Sequence, residues 1–150
     1  MKPLLVSACL AGHFCRYDGG SKPHPVIVAL CRKGLAIPVC PESLSGLPVP
    51  RAACEQVNNR AILRDGSDVT EALLRGAHLA LQKARQSGAN IAILKSKSPS
   101  CGIGEIYDGT FSGRLAPGMG FFASLLAQAG FELYSENNFP AHISRMAAIG

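Results

Sequence analysis

The sequence contains no tryptophan, and aromatic residues make up only 6% of it. A groove that stacks a string of unpaired bases needs several aromatic faces, so single-strand nucleic-acid binding finds little support. Six cysteines occur, but none form a Cys-x-x-Cys pair, which removes the zinc-ribbon and thioredoxin signatures. There is no Gly-x-Gly-x-x-Gly fingerprint and no Walker A run, so dinucleotide or nucleoside-triphosphate binding is not indicated. No block of five or six like charges marks a nucleic-acid tail, although the formal charge of +5 suits anionic partners. The opening Met1-Lys2-Pro3-Leu4-Leu5-Val6 resembles a short signal-peptide start, but the apolar stretch breaks at Gly12, His13 and Arg16. It is too short to span a membrane and poor as a signal. The expectation is a soluble cytoplasmic protein with no membrane partner.

What is present is a chain of 150 residues, 47% hydrophobic, long enough for one domain with a real core. Leu4–Ala8, Leu35–Val39, Ile91–Leu94 and Phe131–Tyr134 read as buried strands. Between them, Pro23 or Pro25 opens a short helix over Val26, Ile27, Leu30 and Cys31, ending near Gly34. Asp68 and Glu71 form a capping-box-like start for a helix over 68–87, with Val69, Leu73, Ala77, Leu81 and Ala84 on one face and Gly88 as its C-terminal cap. A further helix starts at Pro117 and ends at Gly130. Residues 41–53, rich in proline and glycine, are expected to be irregular. Arg60–Leu63 reads as a short strand, and Asp108-Gly109 as the turn of a hairpin. Alternation of strand and helix predicts an α/β fold: a single-domain, three-layer, Rossmann-like arrangement of a mostly parallel sheet. Residues 1–150 form one unit, with 139–150 as a peripheral tail.

In such a sheet the strand carboxyl ends share one edge, where ligands bind. Cys9 and Cys40 each end a predicted strand, and Cys101 follows a third by a short polar loop. A lone cysteine is usually a small buried hydrophobe, but three at strand ends point to a metal centre. Thiolates select zinc, copper(I) or iron–sulfur clusters. A [4Fe–4S] cluster held by only three cysteines keeps one iron open as a Lewis acid. Cys15, six residues after Cys9, is the rival ligand. Cys31 belongs to a helix core, and Cys54 lies beside Glu55. Glu42, in Cys40-Pro41-Glu42, reads as a general acid/base near the metal. Asp18 and Asp108 precede glycines, as turn residues do. The polar loop Ser96–Gly102 offers hydroxyls and amides to a small ligand, and Lys95, Lys97 and Arg16 offset the charge of an anionic cluster. His13, His24, His78 and His142 share no metal-site spacing.

Five motifs, in this order, carry a family resemblance. They are Val6-Ser7-Ala8-Cys9-Leu10, Cys15-Arg16-Tyr17-Asp18-Gly19-Gly20, Pro38-Val39-Cys40-Pro41-Glu42, Lys95-Ser96-Lys97-Ser98-Pro99-Ser100-Cys101-Gly102 and Tyr107-Asp108-Gly109-Thr110-Phe111-Ser112-Gly113. Together the chain resembles the bacterial 2-thiouracil desulfidase family from about residue 3 to 136. The resemblance implies a [4Fe–4S] cluster with one iron not ligated by cysteine, held by Cys9, Cys40 and Cys101; Lys97 is placed at the same cofactor site by its charge. It implies Glu42 as acid/base and Ser98 as the substrate-contacting serine, with Ser100 its close rival. The implied reaction is hydrolytic and non-redox: a small thiolated pyrimidine, 2-thiouracil, gives uracil and sulfide. Thiolated tRNA stays open as a substrate. Two other readings of the residues stand beside it. One is a zinc hydrolase using Cys9, Cys40, Cys101 and Glu42. The other is a non-enzymatic iron–sulfur sensor or thiolated-RNA-binding module.

Overall fold

The computed structural model describes residues 2–148. Its centre is a four-stranded parallel sheet of β1 (Leu4–Ser7), β2 (Ala36–Val39), β5 (Ile91–Leu94) and β8 (Glu132–Ser135), in the order β2-β1-β5-β8. Leu4, Leu5, Val6 and Ser7 are all buried, as expected of a central parallel strand covered on both faces. Pro38 is tolerated because β2 is an edge strand, where the missing N–H leaves no ladder bond unmade.

Alternate side chains of the strands feed two cores. Leu5, Val39, Ala92 and Leu94 pack with α3 (Thr70–Ser87) and α4 (Phe121–Gln128). Leu4, Val6 and Ile93 pack with α1 (Pro25–Arg32) and α5 (Ala141–Ala148). The result is the three-layer α/β arrangement. Residues 139–150 were expected at the periphery, yet α5 contacts α1 and its Ile143 is fully buried. Its apolar residues recur at helical spacing on one face. Residues 149 and 150 lie outside the described residues.

Two small antiparallel hairpins stand apart from the sheet. One joins β3 (Cys54–Val57) to β4 (Arg60–Leu63), and the other joins β6 (Glu105–Tyr107) to β7 (Leu115–Pro117). Cys54–Val57 carries no apolar alternation to mark it as a strand. The Asp108-Gly109 hairpin exists, but residues 108–114 form a long loop instead of a two-residue turn. Pro117 ends an edge strand, and α4 begins at Phe121 with Gly120 as its N-cap. The Asp68 capping box does not form. Asp68 instead accepts the Thr70 amide at 2.9 Å and pairs with Arg60 at 2.9 Å, so α3 starts at Thr70.

The stretch read as irregular holds one helical turn, α2 (Pro41–Leu44). Tertiary contact fixes it, since α2 lies directly on α3. At Gly76 of α3 a Cβ would run into the Pro41 carbonyl oxygen and come within 2.9 Å of the Ser45 amide nitrogen. Arg75 donates to the Ser45 carbonyl oxygen at 2.9 Å from the same helix. Gly120 plays the matching part under the cysteine loop, where a Cβ would come within 2.6 Å of the Cys101 amide nitrogen.

Gly76→Ala sets two effects against each other. Alanine favours a helix interior by about 0.8–1 kcal/mol. Overpacking against backbone costs about 1–3 kcal/mol. Packing should prevail, because the obstacle is a carbonyl and not a flexible side chain. The expected outcome is a lowered Tm in thermal melts; an unchanged or raised Tm would show that α2 yields.

Candidate active site at the strand carboxyl ends

The sheet delivers a different chemical group at the end of each strand. β1 ends in Ser7 and is followed by a short 3-10 helix (Ala8–Ala11) carrying Cys9. After β2 come Cys40, Pro41 and Glu42. Lys95 and the loop to Cys101 follow β5, and Glu136 follows β8. A cavity of about 570 Å³ opens at this edge, and Cys9, Cys15, Cys40, Cys54 and Cys101 all line it. Cys31 does not; it lies half-buried on α1 against the opposite core. All six cysteines are free thiols.

The thiols differ sharply in acidity. The neighbouring Cys15 side chain pulls Cys40 down to about 6 against the opposing effect of burial, with help from Ser43, and Cys40 Sγ lies 3.9 Å from the Cys15 carbonyl oxygen. The Ser43 amide lies 3.4 Å from Cys40 Sγ, which caps α2. The Cys40 side chain, with burial, pushes Cys15 far up. Burial, then the nearby Cys40 charge, raises Cys9 to about 11. Burial pushes Cys101 well above its ordinary value, offset in part by a hydrogen bond with Ser7. Burial, then the charge of Glu42, raises Cys54 to about 12. Any metal binding at the raised thiols must release protons.

Glu42 is held from both sides. Its Oε1 accepts from Arg51 Nε at 3.3 Å and Nη2 at 3.1 Å, and its Oε2 accepts from the Ser100 hydroxyl at 3.0 Å. Its carbonyl oxygen accepts a short hydrogen bond from the Ser45 hydroxyl. Ser100 is 1% exposed. Ser98 has another geometry: its Oγ accepts the amides of Ser100 and Cys101, each at 3.1 Å, and so closes the turn that carries Cys101. That leaves its one O–H to donate. Lys97 lines the cavity from a left-handed backbone, φ 69°, a conformation costly for a residue with a side chain. Asp18 and Asp108 serve their own turns, bonding the amides of Gly20 and Thr110.

Sequence reasoning missed several parts. Ser7 accepts the Lys95 amide at 2.9 Å, tying β1 to β5 beside Cys101. Gln56 donates to the carbonyl oxygens of Pro99 (2.9 Å) and Met119 (3.0 Å), pinning the cysteine loop. Glu136 accepts from the Ser96 amide at 2.8 Å and pairs with Lys95 at 2.9 Å. Its place after a strand was the signal that identified the cysteines and could have identified it too. The sparse aromatics also converge, since Tyr17, Tyr107 and Phe111 line one cavity, where the sequence showed no aromatic cluster. Arg64 stacks over Phe111 at 5.0 Å.

A three-layer α/β domain with thiols and a carboxylate at its parallel strand ends defines a class of small ligand-binding or catalytic proteins with a sulfur-lined site. The chain belongs to the 2-thiouracil desulfurase family, whose model matches residues 4–138. It is 40% identical over 144 residues to YbbK of Bacillus subtilis (strain 168), covering 89% of this chain and 95% of that protein. It is also similar to a solved structure of the [4Fe-4S]-dependent thiouracil desulfidase TudS. The TM-score is 0.89 and the identity 38%, over 99% of this chain and 100% of that one.

The Lys95–Glu136 pair yields a pH test. Burial works against the Glu136 charge, but Lys95 and the Ser96 amide outweigh it and hold the carboxyl below its ordinary value. Stability from the ionised group is then fully present above the usual glutamate pKa of about 4.3 and lost as pH falls through the depressed folded value. Glu136→Gln should cost about 1–3 kcal/mol at pH 7, because Lys95 is left half-buried without its partner. Thermal melts at pH 7 and pH 3 should show that gap closing in acid; a gap that persists or widens would contradict the account.

Proposed function

We propose that this protein is a [4Fe–4S]-dependent desulfidase that converts a small thiolated pyrimidine, 2-thiouracil in the first instance, to uracil and sulfide with water. The observation that carries the reading is the meeting of Cys9, Cys40 and Cys101 with Glu42 in one cavity. The donor set fits the cluster: soft thiolates are its usual ligands. Cys9, Cys40 and Cys101 would hold it, with Lys95 and Lys97 on the same cavity wall to offset its negative charge. When bound, the cluster would supply a Lewis-acidic iron without a cysteine ligand, to which the substrate's thiocarbonyl sulfur can coordinate.

The chain's own residues do the rest. Tyr17, Tyr107 and Phe111 offer faces for a flat pyrimidine ring. Glu42 Oε2 takes a proton from water, and the hydroxide adds to the thiocarbonyl carbon. Loss of sulfur as sulfide then leaves a carbonyl, with no change of oxidation state. Ser100 holds Oε2 toward the cavity, and Ser98 presents its remaining O–H beside Cys101. A partly enclosed, sulfur-lined cavity strengthens these polar interactions relative to bulk water. A reducing cytoplasm suits six free thiols. No helix among the described residues is long and apolar enough to cross a membrane.

The zinc-hydrolase reading has less support. Among the described residues no three His, Cys, Asp or Glu side chains are grouped closely enough to hold a single ion, whereas a four-iron cluster is broader and takes its thiolates at separate corners.

Protein purified without oxygen is expected to be brown, with about four irons and four sulfides per chain. It should turn over 2-thiouracil, with 4-thiouracil, thiouridine and thiolated tRNA defining its range. Glu42→Gln should load equally and lose turnover roughly a hundredfold or more. Colourless protein with stoichiometric zinc would overturn the cofactor, and near-normal turnover of loaded Glu42→Gln would remove the base.

A further inference from the structure

Arg51 lies in the loop between α2 and β3, and its side chain is only 5% exposed. Buried arginines are rarely left without several partners, and this one has four attachments. Nε and Nη2 donate to Glu42 Oε1, Nη2 also donates to the Cys15 carbonyl oxygen at 3.0 Å, and Nη1 reaches the Pro48 carbonyl oxygen at 3.4 Å. Its amide donates to the Tyr17 carbonyl oxygen at 2.7 Å. The guanidinium therefore cannot swing without breaking contacts to three separate segments.

The way it meets the carboxylate is informative. A fork-to-fork arginine–carboxylate pair engages both oxygens. Here both nitrogens converge on Oε1, and among the described residues Oε2 meets only the Ser100 hydroxyl. The two oxygens are inequivalent: Oε1 is taken up by a fixed cation, while Oε2 keeps acceptor capacity for a ligand or water. We propose that Arg51 is a positioning residue that pins Glu42 Oε1 and so presents Oε2, together with Ser100, to the cavity. The inference rests on Glu42 acting as the base, and Arg51 works through it.

A double-mutant cycle on anaerobically loaded protein tests this. Iron content and visible absorption should match wild type in Arg51→Met, which shows that the cluster site is intact. Its kcat should fall roughly tenfold or more, the scale of a misplaced catalytic group, with KM within about twofold. In Glu42→Gln/Arg51→Met, turnover should lie within about twofold of Glu42→Gln alone, because removing the positioning group costs nothing once the positioned group is gone. Arg51→Lys covers the case in which Arg51→Met fails to load. It keeps the charge but lacks the planar fork, so kcat should drop in the native background and not in the Glu42→Gln background. Losses that multiply in the double variant, or a raised KM with unchanged kcat in Arg51→Met, would overturn the inference alone. Near-normal turnover of loaded Glu42→Gln would overturn the base assignment and this inference with it.

Discussion

Because the four central strands run parallel, their carboxyl ends open onto a single edge, and everything at the site follows from that shared direction. β1 brings Ser7 and Cys9, β2 brings Cys40 and Glu42, β5 brings the loop to Cys101, and β8 brings Glu136. Residues far apart in sequence, from Cys9 to Glu136, thus gather at one edge. The two small hairpins sit outside the sheet and serve this edge. Gln56 ties the Pro99 carbonyl of the cysteine loop to the Met119 carbonyl before α4, and Glu55 accepts the amides of Gly109 and Phe111 to fold the second hairpin's loop toward the cavity. The glycines at 76 and 120 matter for the same reason, since each lets a helix approach the backbone that carries a site residue.

The charge arrangement would suit the proposed uptake of an anionic cluster. Burial pushes the Cys9 and Cys101 thiols up, while the neighbouring Cys15 side chain pulls Cys40 down. A site with several buried thiolates and no metal would suffer strong mutual repulsion. Neutral thiols avoid that cost and give up their protons only when a metal replaces them. Glu42, in contrast, is balanced by a permanent cation, since arginine stays charged at any physiological pH. Glu42 and the cysteines are therefore charge-balanced by separate means, although they share one cavity.

How much of this was legible depended on the kind of signal. Cys9, Cys40 and Glu42 follow apolar strands directly, and hydrophobic patterning with strand direction is enough to bring them together. Cys101 was legible because only a short polar loop separates it from Ile91–Leu94. Arg51 was not, because it stands in a proline-rich loop without periodicity, nine residues from the carboxylate it holds. The single turn of α2 was hidden for a related reason: its four residues are too few to show a helical period, and α3 packs directly on it. Cys54–Val57 is short and polar, and only pairing with Arg60–Leu63 makes it a strand. Of the three aromatics, Tyr107 and Phe111 belong to one hairpin, but Tyr17 stands 90 residues before Tyr107 in the loop after β1, so no sequence window joins all three.

The central claim is that Cys9, Cys40 and Cys101 hold a four-iron cluster whose remaining iron faces Glu42. Anomalous scattering at the iron edge, from crystals of anaerobically loaded protein, tests it most directly. The expected map has four iron peaks: three each beside the sulfur of Cys9, Cys40 or Cys101, and a fourth on the Glu42 side with no protein sulfur bound. A fourth iron ligated by Cys15 or Cys54, or a single metal peak in place of the cluster, would contradict the account.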